Sequence, residues 1–100
     1  MEGLLLVEYD ARAAGVRQAL LGRVEALVAA SKGQLRFVAT ERRGEEAARE
    51  IMVIDLARVA DAAAIIAGWR ADAAFPNGVD ARVLMREPVR AAGPVEALFP

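Results

Sequence analysis

The chain contains no cysteine and no histidine. The first absence excludes a disulfide framework, a thiolate metal site and a cysteine nucleophile. The second removes the commonest general base, the commonest zinc ligand and the usual switch near neutral pH. Ser31 is the only serine, so a Ser–His nucleophile cannot be assembled either. Gly15, Gly22 and Gly33 are too dispersed to form a phosphate-cradling loop. Aromatic residues make up 5% of the chain and the net charge is -1 with both signs interspersed. That combination opposes an RNA-reading sheet, a basic nucleic-acid patch and an anionic-membrane surface. No apolar run approaches the roughly 20 residues of a membrane span. Acidic Glu2 stands where a secretory leader would be basic, and Glu8 ends the first apolar run early. The expectation is a cytoplasmic protein without cofactor or metal, and without nucleic acid or membrane as partner.

What is present is a single domain's worth of sequence: 100 residues, enough to bury roughly 60 to 70% of the unfolded surface in one core. The hydrophobic fraction of 56% exceeds the usual ~45–50%, but alanine supplies much of the excess. The large residues are more telling. Ile51-Met52-Val53-Ile54-Asp55-Leu56 is nearly unbroken apolar sequence rich in β-branched residues, as in a strand covered on both faces. Gly3 to Val7 reads the same way, within a first strand running from Leu4 to Tyr9.

Between these strands the pattern changes. From Ala11 to Lys32, Val16, Leu20, Val24, Leu27 and Val28 recur at spacings of three and four, as on one face of a helix. Asp10 has the chemistry of its N-cap, Gly22 inside it suggests close packing, and Lys32-Gly33 would close it with a left-handed glycine. Gln34 to Thr40 alternates, as an edge strand does, and Glu41 to Glu50 reads as a charged hairpin tip. A carboxylate metal site from Glu45, Glu46 and Glu50 would lack any recognisable ligand spacing. A second helix is expected over about Arg58 to Ala73, with Val59, Ala62, Ile65, Ile66 and Trp69 as its apolar stripe. Pro76-Asn77-Gly78 supplies a turn, Val79 to Glu87 alternates as a fourth strand, and Pro88 stops it.

The order strand-helix-strand-strand-helix-strand points to an α+β fold: a ferredoxin-like βαββαβ domain with a four-stranded antiparallel sheet of order 4-1-3-2. In that sheet strands one and three are central, which matches their continuous apolar sequence, and strands two and four are edges, which matches their alternation. The domain would span residues 1–88. Residues 89–100, with Val95, Leu98 and Phe99, form a tail that docks on its own subunit or a neighbour.

Two helices cover one sheet face. Alternation assigns Leu5, Val7, Leu35, Phe37, Ala39, Met52, Ile54, Leu56, Ala81, Val83 and Met85 to it. The opposite face then carries Leu4, Leu6, Glu8, Arg36, Val38, Thr40, Ile51, Val53, Asp55, Arg82, Leu84 and Arg86. So apolar a face calls for a cover, and a second copy of the chain is the simplest one. In element order, length and sheet-to-sheet pairing the chain resembles the dimeric α/β-barrel superfamily. The stretch from Trp69 through Asp72 and Pro76-Asn77-Gly78 to Pro88 is similar to the closing helix and strand of YciI-related proteins. The resemblance implies a homodimer of ferredoxin-like sheets. The histidine proposed for that family's active site has no counterpart here, and Ala73 rather than proline follows Asp72, so no catalytic residue is carried over.

One constellation could carry chemistry: Glu8, Arg36, Asp55, Arg82 and Arg86 on the face away from the helices. Its functional reading is a pocket where arginines hold an anionic ligand and a carboxylate of raised pKa acts as base. Its structural reading, the default, is ion pairing across or at the rim of an interface. Tyr9 could donate a phenolic proton to the same ligand, although packing is the default for it, as for Trp69. Three functions follow. One is a homodimeric barrel protein binding a small organic molecule, anionic if the arginines hold it, with no assigned catalysis. Another is an isomerase, cyclase or lyase of that superfamily using a carboxylate or Tyr9. The last is a structural or regulatory interaction module. An ACT-type amino-acid sensor also shares the element order, although the first strand-helix turn lacks the glycine such modules usually show.

Overall fold

The computed structural model of the chain describes residues 2–85. Arg86, Pro88 and the tail 89–100 lie outside the described residues. The elements are β1 (Gly3–Asp10), α1 (Val16–Ser31), β2 (Gln34–Arg43), β3 (Glu46–Leu56), α2 (Val59–Ala71) and β4 (Asp80–Met85). All strand pairs are antiparallel and the sheet order is β2-β3-β1-β4, which read from the other edge is 4-1-3-2. This is the arrangement of the ferredoxin-like split βαβ motif. Among the described residues no helix is long and apolar enough to cross a membrane.

Both helices lie on one face. Strand pleating aims alternate side chains at them. Leu5, Val7 and Tyr9 of β1 and Met52, Ile54 and Leu56 of β3 are buried against Leu20, Val24 and Leu27 of α1 and Ala62, Ile66 and Trp69 of α2. Beyond α2, Asp72 accepts the Ala74 N–H at 2.9 Å and Arg23 Nη2 of α1 at 2.8 Å. These contacts hold its carboxyl below the usual range, the backbone N–H foremost. Phe75 stacks on Trp69 with centroids 5.6 Å apart, and the Arg23 guanidinium lies over the Phe75 ring at 5.2 Å. The junction from α2 towards β4 is thereby fastened to α1.

Several local expectations are corrected. The first helix begins at Val16 and not at Ala11, because Asp10 does not cap it. Asp10 is the last residue of β1, and its carboxylate accepts the Arg12 N–H at 2.8 Å in a tight side-chain turn. Gly15 opens the helix instead, in the left-handed conformation at φ 75. At the other end the left-handed residue is Lys32, φ 53, and not Gly33. Gly33 answers a different need: a Cβ there would lie 2.5 Å from the Asp55 carbonyl oxygen. Gly22 is exposed, with no neighbour within 4 Å of a built Cβ, so it marks no close packing.

The charged stretch after Thr40 is also mostly strand. Only Gly44 and Glu45 form the turn, and Arg42, Arg43, Glu46, Arg49 and Glu50 belong to β2 and β3. The largest correction concerns β2. Leu35 pairs with Ile54 but Phe37 pairs with Val53, so Arg36 is an extra residue in a β-bulge. A bulge reverses the alternation beyond it. Val38 and Thr40 therefore register with the helix-facing Met52 and Glu50, while Phe37 and Ala39 register with Val53 and Ile51 on the open face. Phe37 is 58% exposed, which no helix-facing aromatic would be.

Candidate functional site

The open face can be drawn row by row across the sheet, from β4 to β2. Leu84, Leu4, Asp55 and Gln34 form one row; Arg82, Leu6, Val53 and Phe37 the next; Asp80, Glu8, Ile51 and Ala39 the third. An apolar band of Leu84, Leu4, Leu6, Val53, Phe37 and Ile51 therefore crosses the face diagonally. Charged groups occupy the two remaining corners. Leu84 is 45% exposed, and Leu4, Leu6, Ile51 and Val53 are half-buried, because each pleat shields its neighbours without a covering layer.

At one corner Glu8 accepts from Arg82, whose Nη1 also lies 3.3 Å from an Asp80 oxygen. Arg49 Nη2 approaches the second Glu8 oxygen at 3.6 Å. At the opposite corner Asp55 accepts from Arg36 Nε. Asp55 registers with Leu4, four residues from Glu8 on β1, so the corners stand about 13 Å apart along the strand. Four of the expected site residues thus share one face but form two ion pairs, not one pocket. Arg86 lies outside the described residues.

Tyr9 stands apart from both. The pleat places it on the helix side, 2% exposed, where its hydroxyl donates to Glu50 Oε1 at 2.9 Å. Arg17 Nη1 of α1 lies 3.6 Å from the other Glu50 oxygen. Burial, then the hydrogen bond to Glu50, push the Tyr9 phenol up to about 12. A phenol so held shares no cavity with Glu8 and serves as a buried polar tie between β1, β3 and α1.

The Arg36 corner carries a shallow depression of about 420 Å³, lined by Leu4, Arg36, Phe37, Val53 and Asp55. Behind the Arg36–Asp55 pair lies a second cavity of about 250 Å³, which adds Lys32, Gly33 and Gln34 to its walls. Among the described residues no group of three or more acidic side chains is placed to hold a metal.

Sequence reasoning overlooked Phe37 because strict alternation turned it inward. It overlooked Arg49 and Glu50 because they were read as part of a loop. A strand continuing back from Ile51 would have exposed the second pair of signals, since Arg49 then shares parity with Ile51 and Glu50 with Met52. Comparison with protein-family models, with curated proteins and with solved structures found no match to this chain.

Proposed function

We propose that the chain is a homodimeric α/β-barrel protein in which the open sheet faces of two copies pack together and hold a small organic molecule between them. The carrying observation is the apolar band itself: six large apolar side chains on one sheet face, with Phe37 58% and Leu84 45% exposed and no covering element among the described residues. Bands of this kind on single chains mark interaction surfaces. The layout, apolar centre and charged corners, is that of a protein–protein interface with a polar rim. A second copy suits it because each corner holds both signs, so two identical faces meet without opposing like charges wholesale. No catalytic step is assigned, since the carboxylates of the face are each engaged by arginine and the phenol lies on the other side of the sheet.

Light scattering coupled to gel filtration tests the assembly. At micromolar concentration the expected mass is about twice the 10.7 kDa of the chain. Leu6→Arg and Phe37→Asp, each placing a charge on the band, are expected to yield folded monomers. A single-chain particle for the unaltered protein, or dimers that survive both substitutions, would sink the proposal.

A further inference from the structure

The face is not equivalent at its two corners, and the bulge makes the difference. Alternation would have put Arg36 and Phe37 on opposite sides of the sheet. Inserting one unpaired residue into β2 brings both to the open side, where they line the same depression with Leu4, Val53 and Asp55. A bulge leaves a residue out of the ladder, and such features recur beside functional sites because they re-aim a side chain. Here the side chain re-aimed is the aromatic Phe37, set next to a cation that alternation already places on the open side.

We propose that this corner is the ligand end of the face and that it takes a compact apolar carboxylate, with an aromatic or branched aliphatic body. The inference deepens the proposed function, because it places the ligand on the surface that two copies share. The body lies on Leu4, Phe37 and Val53, and the carboxylate meets the Arg36 guanidinium, whose planar fork matches two carboxylate oxygens. Asp55 beside it limits the charge accepted. One guanidinium next to one carboxylate suits a monoanion. A dianionic phosphoryl group would face Asp55 with Arg36 as the one cation lining the depression among the described residues, Lys32 lining the adjoining cavity instead. The depression, about 420 Å³ and open to solvent on the single chain, has room for one small ring and its substituent. On binding, Arg36 divides its donors between Asp55 and the ligand. Its Nε donates to Asp55, and the edge formed by its two terminal nitrogens donates to the ligand.

Titration of the full chain with benzoate, cyclohexanecarboxylate, benzyl alcohol and phenylphosphonate, followed by calorimetry and amide NMR shifts, tests this. The two carboxylates are expected to bind, the alcohol and phosphonate far more weakly, with shifts centred on Leu4, Phe37 and Val53. Arg36→Ala is expected to weaken benzoate roughly 10- to 100-fold, the loss of one charged hydrogen-bonded contact. Arg36→Lys should recover only part of it, and Arg58→Ala on the helix side should bind as the unaltered chain does. Arg36 is exposed, so circular dichroism should show both Arg36 variants folded. No carboxylate binding, binding unaffected by Arg36→Ala, preference for the phosphonate, or shifts centred on Glu8 and Arg82 would each overturn the inference. Particle mass measured on the same samples separates the two ideas. A dimer that ignores carboxylates overturns the ligand alone; a monomer that binds them overturns the dimer alone.

Discussion

Glu8 and Tyr9 are adjacent in the chain and live in different media, because the pleat of β1 turns one outward and the other under α1. Tyr9 is the only tyrosine, so its titration is read directly from the ultraviolet absorbance of the phenolate. Its folded value of about 12 lies above the ordinary value of 10.0. The stability it contributes is therefore complete below pH 10, shrinks as the unfolded phenol ionises first, and is gone above pH 12. The shift corresponds to roughly 2–3 kcal/mol of preference for the neutral phenol over the phenolate in the folded chain. Unfolding free energy should fall across that window, and Tyr9→Phe should abolish the fall at a cost of about 1 kcal/mol near neutral pH. Two glycines make an opposed pair at the same scale. Gly22 faces open space in a helix, so Gly22→Ala should stabilise by roughly 0.5–1 kcal/mol in urea denaturation. Gly33 touches the Asp55 carbonyl, so Gly33→Ala should destabilise by about 1–3 kcal/mol. Nothing in the sequence around either residue distinguishes them, because the neighbour that matters to Gly33 is more than twenty residues away.

Among the elements, β1 and the apolar part of β3, Ile51 to Leu56, were legible from composition alone: continuous apolar sequence marks a strand with no polar face to spare. β2 was legible as a strand but not in its parity. Alternation is a property of an unbroken ladder, and the bulge at Arg36 exists only in the pairing of β2 with β3. Two substitutions separate the two parities. Val38, half-buried and packed against the core, should lose about 1 kcal/mol on truncation to alanine at every protein concentration. Phe37→Ala should barely alter the stability of a dilute sample, since most of that ring is in solvent within one chain. Strict alternation predicts the reverse order. The start of α1 was misplaced for a related reason. Asp10 can cap a helix or close a turn on its own backbone, and the backbone hydrogen bond from the Ala11 N–H to the Ala48 carbonyl accompanies the turn.

For the whole molecule, the proposed dimer would make stability a matter of mass action. A folded dimer in equilibrium with unfolded single chains melts higher as concentration rises. The midpoint should therefore climb over a hundredfold range of protein concentration, and Phe37→Ala should flatten that climb. The two charged corners should modulate the proposed dimer less than the band does, because partly exposed ion pairs contribute little each and are screened by salt. Raising ionic strength should leave the dimer mass unchanged at micromolar concentration.

The sequence by itself determined the element order, the central position of β1 and β3, and the existence of a second apolar face. Each of these follows from local residue type and spacing, which act before any distant contact forms. It also supplied the charged residues Glu8, Arg36, Asp55 and Arg82 as members of that face. Only the tertiary structure decided how they group, as two ion pairs at opposite corners, and that Phe37 joins them while Tyr9 does not. Pairing register settles such matters, and register is a relation between two segments: one inserted residue in β2 moves every later side chain across the sheet without changing a single letter of its pattern.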